Sequence, residues 1–231
     1  MSVGRLLLWR HGRTAFNATA RLQGQVDIPL DDVGRWQART AAAALLARYT
    51  PTRIVSSDLG RAVQTAEALG RMAEVAVELE PRVRERGFGE WEGLSGEEIA
   101  ERWPQDYALW RSGGEPVRVG AETRLAVAQR TAEAIAELSA ASGRQDTLVV
   151  VSHGAAISSA VAELLGMSAA WRGMAGMHNA HWAELVPSSG DVLPAWRLVG
   201  YNLGPTDAST DWNAGPDRAD EQHSGSTRDP D

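Results

Sequence analysis

Arg10-His11-Gly12 and Ser152-His153-Gly154 each close a short apolar run, residues 6–9 in the first case and 148–151 in the second. Such runs, stopped by polar residues and glycine, read as buried strands ending in loops. A neutral imidazole at such an end is equipped to act as a nucleophile or a general base. If the two strands are neighbours, the histidines stand side by side at the carboxyl edge of a sheet, where open α/β folds bind ligands. Gly12 is expected to let the backbone turn tightly and a ligand come close. Read alone, the first run could simply end in a surface histidine. Two of only five histidines in matched contexts favour a shared site.

Arg61 opens a segment expected to be helical after a second strand. A guanidinium near a helix N-terminus is poorly placed for the dipole, which favours anions there. The placement makes sense if helix end and arginine together surround a phosphate. Arginine as a residue type carries no signal, because the chain has no lysine and all 23 of its basic residues are arginine. Glu85, Glu90 and Glu92 lie in a glycine- and aromatic-rich stretch that reads as a structured loop. Any of the three could serve as a general acid. His178 and His181 have helical spacing, but no carboxylate or cysteine completes a ligand pattern, so no metal is expected there.

A frame for these groups is legible in the periodicity. Strands are expected at 4–9, 54–55, 75–79, 147–152, 181–186 and 195–201. Helices are expected over 31–48, capped by Asp31 or Asp32 with Trp36, Thr40, Ala43 and Ala44 on one face, and over 59–71, capped by Asp58. Further helices are expected over 122–142 and 155–166, and Ser95-Gly96-Glu97-Glu98 reads as a capping box. Strands alternating with helices give a three-layer α/β/α fold with a largely parallel central sheet.

At 231 residues the chain can build one large domain, here drawn as 1–203. Residues 204–231 hold seven acids against Arg218 and Arg228, so they carry -5 of the formal -7. Their composition predicts a disordered acidic tail, dispensable for catalysis. A near-neutral body with an acidic tail argues against nucleic-acid binding. No apolar run is long enough to span a membrane, and no signal peptide is visible. The absence of cysteine excludes disulfides and thiolate chemistry and fits a cytoplasmic location.

Taken together, these residues resemble the histidine phosphatase superfamily, the phosphoglycerate-mutase-like enzymes. Leu8-Trp9-Arg10-His11-Gly12-Arg13-Thr14 with Asn17 is similar to the family's Arg-His-Gly signature. Gln23-Gly24, the block 56–66 around Arg61, Arg84-Glu85 with 88–93, and Val151-Ser152-His153-Gly154 follow in the family's order. Gly120-Ala121-Glu122-Thr123 stands where Gly-Gly-Glu-Ser is more usual, a change expected at the pocket mouth. The stretch from Trp171 to Leu198 is similar to the actinobacterial branch acting on sugar-linked phosphoglycerates such as glucosyl-3-phosphoglycerate.

The resemblance implies a metal-independent phosphomonoesterase without cofactor. His11 would take the phosphoryl group as a phosphohistidine, and Glu85 would be the general acid and base. Arg10, Arg61 and a protonated His153 would hold the phosphate, with Asn17, Gln23 and Gly24 lining the pocket. The partner implied is a small phosphorylated substrate, and a homodimer is compatible with it. Two alternatives stand beside this reading: a cofactor-dependent phosphoglycerate mutase, and a non-catalytic phosphate-binding module on the same fold. The short segment 92–121, mixed in charge, favours hydrolysis over the longer basic lid that a mutase needs.

Overall fold

The two apolar runs that precede the histidines are adjacent central strands of one sheet. The computed structural model describes residues 3–190, 192–205 and 210–215. Strands β1 (Arg5–Arg10), β2 (Arg53–Ser56), β3 (Val77–Leu79), β4 (Thr147–Ser152), β5 (Trp182–Pro187) and β6 (Trp196–Leu203) form it in the order β3-β2-β4-β1-β5-β6. The first four are parallel, while β5 runs antiparallel to β1 and β6 antiparallel to β5. The sheet is therefore mixed, with its parallel half carrying the chemistry-bearing strand ends. The unbroken apolar character of β1 and β4 follows from burial on both faces, as parallel strands require.

Among the described residues, seven α-helices complete the layers: α1 (Ala15–Ala18), α2 (Asp32–Leu46), α3 (Gly60–Ala73), α4 (Gly96–Arg102), α5 (Pro104–Arg111), α6 (Arg124–Ala140) and α7 (Gly154–Leu164). Side chains alternate along β1, so Leu6 and Leu8 pack with Ile135 of α6 and Ile157 of α7, while Leu7 and Trp9 pack with Ala41 of α2 and Leu69 of α3. This is the expected α/β/α sandwich. A smaller cluster of Phe88, Trp91, Ile99 and Val119, flanked by Tyr107 and Trp110, lets α4 and α5 sit as a compact cover. The capping box at Ser95 is present.

Several local expectations need correction. Asp58 does not cap α3, because its carboxylate is drawn into an ion pair with Arg84. The first amide of α3, that of Gly60, donates instead to Asp27 Oδ1 at 2.7 Å, from a distant loop. The buried face of α2 is Gly34, Gln37, Ala38, Ala41, Ala42 and Leu45 rather than the face of Trp36, Thr40, Ala43 and Ala44. In a helix so rich in alanine, polarity alone marks the face weakly.

Part of the stretch beyond residue 203 packs onto the body of the protein. Residues 210–213 form a turn of 3-10 helix whose Trp212 is only 4% exposed. Trp212 packs against Trp36 with ring centroids 5.0 Å apart, and its carbonyl accepts from Gln37 Nε2 at 2.9 Å. One tryptophan suffices to dock a segment whose overall composition is polar. Residues 206–209 and 216–231, the rest of the expected disordered tail, lie outside the described residues. Trp212→Ala is expected to destabilise the protein by about 3 kcal/mol, as for other buried aromatic truncations. That corresponds to a melting temperature lower by roughly 6–12 °C. Unchanged melting would contradict the docking of this turn.

Candidate active site

His11 is the first residue beyond β1 and His153 the first beyond β4. Arg10 lies opposite Ser152 in the parallel register, so the next residues meet, and the two imidazoles stand 5.1 Å apart between ring centroids. The backbone amide of His11 donates to the Ser152 carbonyl at 3.0 Å, which carries the strand pairing up to the nucleophile candidate. Gly12 serves close packing rather than a left-handed turn, since a Cβ there would collide with the carbonyl of Gly34. Its amide is held by Thr65 Oγ1 at 3.1 Å.

The ring tautomers follow from their partners. His11 Nδ1 lies 2.7 Å from the Gly12 carbonyl oxygen. A carbonyl only accepts, so Nδ1 carries the proton and Nε2 keeps its lone pair. At His153 the order is reversed: Arg61 Nε donates to Nδ1 at 3.2 Å, leaving Nε2–H to donate to Ser57 Oγ at 2.9 Å. Burial, then the positive Arg61 and Arg10, hold His11 well below the usual histidine range, against the Gly12 carbonyl. Burial again comes first for His153, followed by Arg61 and His11. His153 is thus neutral, which corrects the expectation of a protonated second histidine. A second positive charge has no support in a buried site that already holds two guanidiniums.

Those guanidiniums belong to Arg10 and Arg61. Arg10 donates to the Met177 carbonyl, while its buried Nε has no hydrogen-bond partner among the described residues. Arg61, fully buried, donates to His153, to the Val26 carbonyl at 2.8 Å and to the Gly24 carbonyl at 2.7 Å. Every one of these acceptors is neutral. Burial lowers the pKa of both arginines, and Glu85 is the first influence opposing it in each case. A buried and a half-buried cation, with no carboxylate bonded to either among the described residues, leave positive charge for a ligand to meet.

Arg10, His11, Asn17, Gln23, Arg61 and Glu85 line one cavity of about 340 Å³, and Gly24 contributes backbone to it. Asn17 Oδ1 accepts from the Thr14 amide and from Asn179 Nδ2, each at 3.2 Å, which turns its amide NH2 away from these bonds. Gln23 Oε1 accepts from Thr14 Oγ1 at 3.0 Å. Gly24 has a φ of +53°, and its missing Cβ leaves space for the Glu92 side chain. His153 is brought beside His11 but is absent from the cavity wall, with both ring nitrogens engaged.

Of the three glutamates, Glu85 alone faces this cavity. Its Oε1 accepts from the amides of Arg86 at 2.8 Å and Ala156 at 3.0 Å, and its Oε2 from that of Ala155 at 3.2 Å. A carboxylate thus occupies the N-terminus of α7, where the helix favours it. Glu92 is turned inward to the amides of Gln25 and Phe88, and Glu90 is exposed. Arg130 of α6 fixes the Glu85 loop by donating to the carbonyls of Arg82, Arg84 and Glu85 at 2.7, 2.8 and 2.9 Å. Glu122, in the variant Gly-Ala-Glu-Thr stretch, pairs with Arg130 and accepts from the Gly87 amide. The first amide of α3, expected to join Arg61 in binding phosphate, is already taken by Asp27.

Sequence reasoning missed several supports. Asn179 Nδ2 reaches the His11 carbonyl at 3.1 Å, and its own carbonyl accepts from Trp212 Nε1 at 2.8 Å. Ser57, Thr65 and Arg130 also brace the site, and Arg21 lines the cavity while paired with Glu98. The order Asn179-Ala180 within a recognised stretch was the one available signal. His178 and His181 are neighbours, but among the described residues no three metal-binding side chains gather. No helix among them is long and apolar enough to cross a membrane.

Comparison with known proteins agrees with this geometry. A model of the histidine phosphatase superfamily (branch 1) matches residues 6–202. A glucosyl-3-phosphoglycerate phosphatase from Mycolicibacterium vanbaalenii is 40% identical over 87% of this chain and 96% of its own length. A probable phosphoglycerate mutase from Photorhabdus laumondii is 35% identical over 70% of this chain and 75% of its own. Among solved structures, a mycobacterial glucosyl-3-phosphoglycerate phosphatase in complex with VO3 superposes with a TM-score of 0.79 at 38% identity, covering 87% of this chain and all of the other.

The depressed pKa values of His11 and His153 have a definite sign. Below the ordinary histidine value of about 6.5 the unfolded chain takes up protons that the folded protein refuses, so stability falls as pH drops through that window. Nitrogen NMR of the imidazoles is expected to show both rings neutral at about pH 6, with the proton of His11 on Nδ1 and that of His153 on Nε2. A charged ring at either position under those conditions would contradict the arrangement.

Proposed function

The chain belongs to branch 1 of the histidine phosphatase superfamily, and from that premise we propose that it hydrolyses phosphomonoesters through a phosphohistidine on His11. The observation that carries this reading is the pair of guanidiniums, half-buried Arg10 and buried Arg61, bonded to neutral acceptors beside an imidazole whose Nε2 is free of its proton. His11 Nε2 attacks phosphorus as the bond to the substrate oxygen breaks. Glu85 gives a proton to that departing oxygen and is left as the carboxylate that its three amide donors stabilise. In the second step Glu85 takes a proton from water, which attacks the phosphohistidine and releases phosphate and the free imidazole. Splitting one transfer into two lowers each barrier, and charge on the phosphoryl oxygens is met by Arg10, Arg61 and the amide of Asn17. His153 acts through its neighbours, orienting Arg61 and backing His11.

The substrate we propose is a phosphorylated sugar-glycerate, glucosyl-3-phosphoglycerate, supported by the 40% identity to a phosphatase of that name over nearly its full length. A cytoplasmic protein with a small phosphorylated metabolite as its partner fits the cysteine-free chain and the acidic charge balance. The two arginines supply the charge neutralisation that a metal gives elsewhere, so turnover is expected to survive EDTA.

Glu85→Gln tests the proton donor. Loss of general acid catalysis typically lowers a rate by about 10²–10⁴-fold. The loss is expected for a sugar-glycerate phosphate, whose alkoxide needs a proton, and to be much smaller in the first step with p-nitrophenyl phosphate, whose phenolate leaves unaided. Equal losses in that step for both substrates would remove Glu85 from the role. Wild-type protein that cleaves 3-phosphoglycerate as efficiently as its glucosylated form would overturn the sugar-glycerate assignment.

A further inference from the structure

Beside the phosphate cavity lies a second one of about 100 Å³. The two share Ala155, Ser158 and Met174 as a common wall. Arg86, Arg124 and Arg172 all line the second cavity. Glu115 pairs with Arg86 at 2.6 Å and with Arg124 at 3.3 Å, so one carboxylate serves two cations. Arg172 donates only to the carbonyls of Ala169 and Trp171. Glu163 is the one acid among the residues that line the cavity, and Glu115 reaches the arginines from outside its wall. Three guanidiniums facing Glu115 and Glu163 leave one positive charge uncompensated. The arginines also oppose one another: burial first and then Arg124 lower the pKa of Arg172, and Arg124 acts on Arg86 in the same direction. An anion placed between Arg124 and Arg172 relieves that repulsion.

We propose that this second cavity is a carboxylate subsite, in which Arg124 and Arg172 grip the acid group of a phosphorylated hydroxy acid whose phosphate lies on Arg10 and Arg61. The inference rests on the phosphatase chemistry proposed for the adjoining cavity, and it does not depend on the sugar. The shared wall makes the two anions parts of one molecule. The small volume and single net charge fit a carboxylate better than a second phosphate. Arg86, buried and held by Glu115 and the Glu122 carbonyl, sets the floor of the subsite and keeps Glu115 from neutralising Arg124 fully. The subsite selects phosphorylated acids from the many phosphomonoesters that the phosphate cavity alone would admit.

The test compares kcat/KM for 3-phosphoglycerate and glycerol 3-phosphate, which differ by a carboxylate against a hydroxymethyl group. Wild-type protein is expected to favour the acid by about tenfold or more, the usual weight of a charge-assisted hydrogen bond. Arg172→Ala, at an exposed position, is expected to bring that ratio to within about threefold of unity, mainly by raising KM for the acid. Arg124→Gln serves as the second variant and should move the ratio the same way, with melting curves to register any loss of fold. A wild-type ratio near unity, or variants that lower both substrates by one common factor, would overturn the subsite. A protein that prefers 3-phosphoglycerate to glycerol 3-phosphate but ignores the glucosyl group would sink the sugar assignment and leave the subsite standing. Failure to cleave any phosphomonoester would sink both.

Discussion

Two guanidiniums without an acid bonded to them, Arg61 fully buried and Arg10 half-buried, are the constraint from which the rest of this structure follows. A charge removed from water is tolerated only when it is paired or richly hydrogen-bonded. Arg61 is satisfied by three neutral acceptors, and Arg10 keeps a buried Nε with no partner at all among the described residues. Such a site is stable enough to fold yet electrostatically incomplete. An oxyanion is the group that completes it. The same positive field, together with burial, keeps His11 and His153 neutral. The Nε2 lone pair of His11 is thereby preserved next to that charge.

The fold serves this constraint by geometry. Parallel pairing of β1 with β4 brings two strand ends into register, and the histidines inherit that register. The helix that follows β4 offers its N-terminus to Glu85, which fixes that carboxyl group within the cavity. Arg130 then clamps the loop that carries Glu85 from a different helix. Even the turn at 210–213 takes part. Trp212 holds the carbonyl of Asn179, whose side chain holds the carbonyl of His11. Segments from both ends of the described chain thus close on His11.

Much of this was legible in the sequence because it is local. Apolar runs ending in His-Gly announce buried strands, and Ser95 announces its helix. The matched contexts of His11 and His153 foretold their meeting, which needed only that two strands be adjacent. What failed to show was carried by long-range partners. Asp58 looked like a cap because only its neighbours were visible, and its pairing with Arg84 could not be read from spacing. The protonation of His153 was misjudged because the Arg61 Nε that faces its Nδ1 is remote in sequence. Trp212 was hidden by the acids around it, since composition averages over a segment whose docking depends on one ring. The choice of Glu85 over Glu90 and Glu92 required the family resemblance, and the cavity wall now gives an independent reason for it.

The account turns on whether His11 carries the phosphoryl group. The direct measurement is rapid acid-free quenching of the protein mixed with a phosphomonoester, followed by mass spectrometry of peptides containing residue 11. The account predicts a transient, acid-labile adduct of one phosphoryl group on His11, formed faster than steady-state turnover and absent from His11→Ala. Steady phosphate release with His11 unmodified at every time point, or continued turnover by His11→Ala, would contradict it and assign the two arginines to a site that binds phosphate without accepting it covalently.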